Sequence, residues 1–596
     1  MSDTRKSIGT IRSLMKAEGI DCWITLPSDP HASEYVPAHW AALAWASGFS
    51  GDNGVLVVTG SEARLWTDSR YWVQAANELR GSGISLMKDG APGVPSWEEW
   101  TASALKPGST AALDGRCLSV RSGERAERIF RFHGVGLRTD IDIIGRAWKE
   151  GRPAVPSSAA YRNTAAPESP HEKILRLRSE LEREGADSFI TSSLDEPCWI
   201  TNLRGSDVPY NPVFLSHFIL TPQEAVLFTD SSRLSDEIRA FLGSEGIQVR
   251  PYEDFARAVS GLPAGSSLLI DPATTSVSTR NLVPSTVRTI EGLSPVALLK
   301  TRKTQAELRL IDEAMVEDGA ALCRFYAWLE KALAAREPLT EMDVVRKLHD
   351  ERAKGKDYVS ESFGTIAAVG PNAALPHYEP SESSCAPLSG DTILLIDSGA
   401  QYQTGTTDIT RVTRIHNPPE ALKRDYTAVL RAHLALLDAY FPEGAYASQL
   451  DTFARAPLWE VDADFGHGTG HGVGFFLNVH ERPYSISPRS LPSEGTRTVE
   501  GIVVSDEPGL YRPGRWGIRI ESLVTPVPQA SSEFGRFMAF RPLTLCPIDT
   551  SLIVPRMMKS WEIAKLNEYH RHVREKLLPA VDGEAKNWLI RNTAVF

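Results

Sequence analysis

A stretch near the start of the chain returns later in the sequence. IRSLMKAEGIDCWIT begins at Ile11 and LRSELEREGADSFIT at Leu177. At one constant offset, Arg12, Ser13, Glu18, Gly19, Asp21, Ile24 and Thr25 are matched by Arg178, Ser179, Glu184, Gly185, Asp187, Ile190 and Thr191. Further on, Trp66-Thr67-Asp68-Ser69 is answered by Phe228-Thr229-Asp230-Ser231 at a slightly shorter offset, as a small deletion produces. Two matches in the same order imply two copies of one domain. Each copy reads as an amphipathic helix, a glycine stop and a short apolar strand. Helical and strand patterns then alternate, with strands at 54–58 and 225–228, so each copy is expected to be an α/β layer domain. The segment 153–170, rich in Pro, Ser and Ala, is the expected linker. GFSGDNG from Gly48 lacks the spacing and the lysine of a phosphate cradle and reads as a turn.

A third domain is expected to begin near Lys300. Thr304 and Glu307 form a capping-box pattern. The helix after it carries Leu308, Ile311, Met315, Leu322, Phe325 and Leu329 on one apolar stripe, a core-packing face. Gly319 interrupts that stripe and implies close approach of a neighbouring element. A chain of 596 residues is too long for a single core. The expected divisions are 1–160, 161–302, 303–555 and a helical extension at 556–596. In that extension Trp561, Leu566, Tyr569, Val573 and Leu577 recur at helical steps.

The charge balance removes several function classes. With 64 basic and 75 acidic residues, the net charge of −11 offers no basic footprint for nucleic acid or for an anionic membrane surface. No apolar run approaches the roughly 18 residues of a membrane span. The first residues, MSDTRKSIGTIRSLMKAEGIDCWI, carry charges throughout and lack the apolar core of a secretory signal. Cys22, Cys117, Cys198, Cys323, Cys385 and Cys546 have no close pairs, so neither a disulfide framework nor a thiolate zinc site is expected. These features fit a cytoplasmic location.

The chemistry concentrates between Asp397 and Glu521. Thr392-Ile393-Leu394-Leu395-Ile396 reads as a buried strand ending at Asp397, and Thr406-Thr407-Asp408-Ile409-Thr410 as a second strand. Gly399 and Gly405 permit sharp turns between them, so a hairpin-like pair is expected to bring Asp397 and Asp408 face to face. Either Asp alone reads as a surface turn residue. Together and unneutralised they would repel, and one would stay protonated; a divalent cation between them removes the conflict. Gly466-His467-Gly468-Thr469-Gly470-His471-Gly472-Val473-Gly474 is poor helix and poor core. Its glycines let backbone and ligand approach, and its imidazoles suit a metal. His480 follows. Glu507 ends the apolar run from Ile502. Arg519 and Glu521 alternate with isoleucines, a period-two pattern that points both to one side of a strand. The four carboxylates Asp397, Asp408, Glu507 and Glu521 are offset by two divalent cations.

At these residues the chain resembles the Xaa-Pro aminopeptidases (aminopeptidase P) of the pita-bread metallopeptidase family. The likeness extends to Leu194-Asp195-Glu196, Asn202–Asp207 and Asn211–Phe214, and to Val369-Gly370-Pro371-Asn372 ahead of His377. It covers nearly the whole chain and matches the long, three-domain form. The resemblance implies two related N-terminal α/β domains followed by a C-terminal pita-bread catalytic domain of curved antiparallel sheets backed by helices. It implies that Asp397 holds one ion, that Asp408 and Glu521 bridge both, and that His471 and Glu507 complete the other. Manganese is the metal it implies, with zinc or cobalt able to fill the same donors. Hydrolysis of the N-terminal Xaa-Pro bond would use a hydroxide shared by the ions, with Glu507 as proton shuttle. His377 and His480 would line the site, His467 would shape the proline side, and Tyr511 and Arg519 would support it. The partners implied are peptides with proline in second position and a second copy of the chain, as a homodimer. The competing readings are a prolidase restricted to Xaa-Pro dipeptides and a metal-free binding protein. The chain departs from many relatives at Arg482, where they carry glycine.

Overall fold

The computed structural model describes residues 2–596. They form two compact units, residues 2–163 with 168–296, and residues 164–167 with 297–596.

The first unit contains the repeat. The helix Ser2–Glu18 stops at Gly19, whose φ of +65° costs glycine nothing, and the chain then enters β1, Cys22–Thr25. β2 (Val55–Thr59), β3 (Ala63–Thr67), β4 (Ser85–Lys88), β5 (Thr110–Ala112) and β6 (Gly136–Arg138) complete a sheet of order β4-β3-β2-β1-β5-β6. β1 runs antiparallel to β2 and parallel to β5. The second copy repeats each step. The helix Pro170–Arg183 precedes Gly185 at φ +68°, and then come β7 (Ser188–Thr191), β8 (His217–Leu220), β9 (Ala225–Phe228), β10 (Ile247–Arg250), β11 (Ser267–Ile270) and β12 (Arg288–Glu291). Their order, β10-β9-β8-β7-β11-β12, is the same topology. The duplicated sequence is therefore a duplicated sheet, with matching strands at its centre.

The second unit starts from the helix Gln305–Ala335. Thr304 Oγ1 accepts from Glu307 N (3.2 Å) and Glu307 Oε2 accepts from Thr304 N (2.8 Å), the capping box read from the sequence. All six residues of the apolar stripe are buried. Gly319 lies so close to a neighbouring segment that a Cβ there would stand 2.6 Å from Leu545 O. β13 (Ile366–Val369), β14 (Thr392–Ser398) and β15 (Ile409–Ile415) form an antiparallel sheet with β14 at its centre. β16 (Tyr440–Pro442), β17 (Gly470–Gly472), β18 (Glu481–Ile486) and β19 (Val504–Asp506) follow, then the hairpin of β20 (Gly509–Arg512) and β21 (Trp516–Arg519). With β22 (Ser522–Ser532) and β23 (Gly535–Pro542), a second antiparallel sheet has the order β16-β23-β22-β19-β17-β18. The helices Glu420–Leu437 and Ala447–Trp459 pack against each other and join the same hydrophobic core as these sheets.

Three local expectations change. Asp408 does not lie in a strand: it falls between the short strand Gly405–Thr406 and β15, where the chain leaves one sheet for another. The residue opposite Asp397 in the β14–β15 ladder is Thr410. Similarly, β21 ends at Arg519 and Glu521 lies in the two-residue crossing to β22, so the two do not share a strand. In the tail, Leu566, Tyr569, Val573 and Leu577 of the helix Ser560–Leu577 are buried, but Trp561 is 41 % exposed because it stands in the first turn, at the edge of the contact. A further helix, Gly583–Asn592, places Trp588 flat on Tyr326 of the long helix, with ring centroids 5.5 Å apart.

Candidate metal centre

Five separate segments supply the polar residues. Asp397 is the last but one residue of β14, Asp408 occupies the crossing before β15, and His471 is the middle of β17. Glu507 immediately follows β19 and Glu521 immediately precedes β22. Because β17, β19 and β22 are neighbours in one sheet, His471, Glu507 and Glu521 come together at one edge. Backbone bonds tie the remaining pieces in: Glu507 N donates to Thr469 O (2.8 Å) and Glu521 N to Thr410 O (3.1 Å). The glycines of the 466–474 run now have a steric reason. A Cβ on Gly470 would stand 1.8 Å from Ser505 O, and one on Gly472 2.5 Å from Glu481 O, so only glycine lets β17 lie this close to its neighbours.

Asp408, His471 and Glu521 each offer a ligand atom, all within 4.8 Å of one another. His471 Nε2 is 3.4 Å from Asp408 Oδ2 and 3.5 Å from Glu507 Oε1. Its Nδ1 is 3.0 Å from Gly472 O, a pure acceptor, so Nδ1 carries the proton and Nε2 presents its lone pair to the acids. Ser505 Oγ accepts from His471 N (2.9 Å) and donates to Glu507 Oε1 (3.2 Å). Thr410 Oγ1 donates to Glu521 Oε2 (2.7 Å).

Arg519 binds the carboxylate of Asp397, with Nε 3.1 Å from Oδ2 and Nη2 on the same oxygen. Its Nη1 donates to Tyr511 Oη (2.8 Å), and Tyr511 Oη lies 2.8 Å from His467 Nε2. His467 Nδ1 faces Gly468 O at 2.7 Å, which fixes the tautomer and makes Nε2 the acceptor from tyrosine. The result is a directed chain from Arg519 through Tyr511 to His467. Arg519 Nη2 also reaches Pro376 O (3.4 Å), which holds the peptide bearing half-buried His377. The ring of His480 stands edge-on to His471, with centroids 4.2 Å apart.

This cluster is electrostatically costly without cations. Burial pushes the carboxyls of Asp397 and Glu521 up, Glu521 well above its ordinary value, and the neighbouring carboxylates push the same way. Burial raises Glu507 to about 7, against the opposing pull of His471 and Arg519. Asp397 Oδ1 and Asp408 Oδ1 are buried with no hydrogen-bond partner among the described residues. Buried carboxylate oxygens facing other carboxylates are what divalent cations satisfy. Four carboxylates, one imidazole and no thiolate make an oxygen-rich donor set of the kind that divalent metal ions accept. The residues present therefore fit two divalent ions.

Several contributors went unread in the sequence. Thr410 and Ser505 donate to the carboxylates of Glu521 and Glu507, and His433 Nδ1 sits 3.0 Å from Asp506 Oδ2 in a buried pair next in sequence to Glu507. Ser505 and Asp506 had a signal, two polar residues directly after the apolar run Ile502–Val504. Thr410 and His433 had none, because each belongs to an element whose own pattern is ordinary.

The chain matches the model of metallopeptidase family M24 over residues 309–525. It matches the Creatinase/Prolidase N-terminal domain twice, over 8–137 and 151–307, and the C-terminal region of M24 peptidases over 536–596. It is 36% identical over 627 residues to aminopeptidase P2 of Arabidopsis thaliana, covering 99% of this chain and 88% of that one. A probable Xaa-Pro aminopeptidase P of Sordaria macrospora is 36% identical over 613 residues, with both chains fully covered. Among solved structures, the X-prolyl aminopeptidase of Caenorhabditis elegans, described as a cytosolic enzyme with a di-nuclear active site, superposes with a TM-score of 0.95 at 32% identity over all of both chains. Two creatinase-type N-terminal domains and a pita-bread catalytic domain are thus the fold, as the sequence implied.

Proposed function

The chain belongs to metallopeptidase family M24, among the Xaa-Pro aminopeptidases, and from that premise we propose that it removes the N-terminal residue of peptides whose second residue is proline. The observation that carries this reading is the convergence of five separate segments, in which an imidazole Nε2 faces carboxylates and two buried carboxylate oxygens have no donor among the described residues. Asp397 would hold one ion, Asp408 and Glu521 both, and His471 and Glu507 the other. Bound there, the ions supply Lewis acidity toward the peptide carbonyl and toward water, which lowers the cost of hydroxide at neutral pH.

The chain's own residues do the rest. Glu507 takes a proton from the attacking water and returns it to the departing proline nitrogen. Arg519 pins Asp397 in one orientation, which keeps the carboxylate from rotating as substrate enters. His467, locked by Tyr511, forms one wall of the proline side. His377 and His480 are hydrogen-bond donors to the substrate flanking the reacting carbonyl. The tertiary amide before proline has no N–H, so recognition at that bond rests on shape. Manganese as the resident metal, a cytosolic location and assembly as a homodimer belong to the same reading.

The test is cleavage of Arg-Pro-Pro against the dipeptide Arg-Pro by the manganese-loaded chain, beside His471→Ala. Release of arginine from the tripeptide, lost by at least about 100-fold in a folded His471→Ala, is the expected result. Cleavage of the dipeptide alone would make the enzyme a prolidase. A purified chain with no bound metal and no response to manganese would make it a binding protein.

A further inference from the structure

In the proposed function His467 walls the proline side, yet no regular structure holds its backbone. Residues 463–469 contain neither helix nor strand, and Gly466 and Gly468 flank the imidazole. A residue bordered by two glycines sits in a chain of wide conformational freedom. The place of His467 is therefore set from outside the loop. Tyr511 Oη meets the ring at Nε2 (2.8 Å). The backbone is held by a different residue.

Arg455 lies on the helix Ala447–Trp459 and is 5 % exposed. Its Nη1 donates to Phe465 O (2.8 Å) and to Asp464 Oδ1 (2.6 Å), and its Nη2 donates to His467 O (3.0 Å). The guanidinium also lies over the Phe465 ring, 4.0 Å from its centroid, an attractive contact for a cation. That ring stands 4.8 Å from the ring of His467. Arg455 Nε donates to Asp451 Oδ2 (2.7 Å), one helical turn earlier, and Asp451 Oδ1 accepts from Thr469 Oγ1 (2.6 Å) at the far end of the loop. Thr469 O in turn accepts from Glu507 N (2.8 Å). An Asp–Arg pair on one helix thus clasps the loop at both ends.

A buried ion pair gives little net stability over apolar residues of similar volume. What this pair does give is a fixed loop. We propose that Arg455 is a positioning residue that sets the preference for proline over other second residues, by holding Phe465 and the His467 backbone where the wall meets the pyrrolidine ring. This rests on the reading of His467 as that wall. The tertiary amide offers no N–H, so selection there depends on how closely the wall fits the ring. A wall free to retreat loses contact with proline and loses little with an alanine side chain. Lysine keeps the charge but has one nitrogen in place of the planar fork, so it cannot hold Asp451 and both loop carbonyls together.

Arg455→Lys, assayed as the full-length, manganese-loaded chain on Arg-Pro-Pro and Arg-Ala-Pro, tests this. The expected result is a KM for Arg-Pro-Pro raised at least about tenfold with kcat within about threefold of the parent, the mark of lost binding shared by ground and transition states. The kcat/KM preference for Arg-Pro-Pro over Arg-Ala-Pro should fall at least about tenfold, with the manganese Kd within about threefold of the parent. Phe465→Leu removes the ring that both Arg455 and His467 contact and touches no charge. It should lower the same preference by at least about threefold, and it decides the matter alone if Arg455→Lys fails to fold by circular dichroism. An arginine with a merely structural role would lower the urea midpoint and leave the preference where it was. That outcome, a fall in kcat with KM unchanged, or loss of manganese would overturn the proposal. A parent with no preference for Arg-Pro-Pro would overturn the proposed function and this inference with it. A parent that prefers Arg-Pro-Pro, beside folded variants that prefer it equally, would overturn this inference alone.

Discussion

Arg519 ties together several parts of the candidate metal centre. It joins Asp397, Thr410, Tyr511 and the carbonyl of Pro376 through one planar guanidinium. A lysine cannot reproduce that fork. Arg519→Lys should therefore keep the fold but weaken metal binding by about 10- to 100-fold, read by titration of the metal-free chain with manganese. Glu507 makes a second prediction at this scale. Without metal its folded value is about 7, above the ordinary 4.5, so the folded chain holds that proton longer than the unfolded chain does. Stability then falls as pH rises from about 4.5 through about 7, since the unfolded state alone gains the ionised form. With chelator present, the urea midpoint at about pH 8 should lie below that at about pH 5. Manganese should abolish or reverse this trend, because ligation requires the ionised carboxylate.

At the scale of elements, the centre depends on how closely strands approach and on where they stop. β17 carries His471 and lies against β18 and β19 at a distance that excludes a side chain at Gly470. Gly470→Ala would drive a methyl into the Ser505 carbonyl, and the sheet must open to accept it. We expect a loss of about 3 kcal/mol or more in chemical denaturation, together with loss of metal binding. Gly468→Ala, whose new Cβ would be no closer than 3.5 Å to any neighbour, should change stability by less than about 1 kcal/mol. Equal effects of the two would remove the steric account of this run. Asp408 and Glu521 show the other half of the design. Both sit where the chain leaves one sheet for another, so neither side chain is committed to a ladder face. The sequence reading placed Asp408 in a strand over 406–410 and Glu521 on one strand face with Arg519, and in both cases missed the break.

Over the whole molecule, the tail reinforces the centre from behind. Tyr569 Oη accepts from Arg411 Nη2 (2.7 Å) and donates to Cys546 O (2.9 Å), while Arg411 Nη1 donates to the carbonyl of Glu521. Leu577 packs beside Gly319, and Trp588 on Tyr326. Removing residues 556–596 would strip these contacts and leave Arg411 without its phenol, so we expect no soluble, metal-binding chain. Tyr569→Phe should fold, lose about 1–2 kcal/mol and bind manganese more weakly. A truncated chain that stays folded and active would show that the tail is dispensable. The linear chain by itself determined the duplicated α/β architecture and the capped long helix, and it pointed to the acids and the imidazole of the candidate centre. Those rest on local repeats, periodicity and residue type, each expressed within a few consecutive positions. Only the tertiary structure decided that Thr410 stands opposite Asp397, that Arg519, Tyr511 and His467 form one directed chain, and that His433 pairs with Asp506. These are pairings across long separations between residues whose own neighbourhoods look unremarkable, and register and packing, not local preference, choose among them.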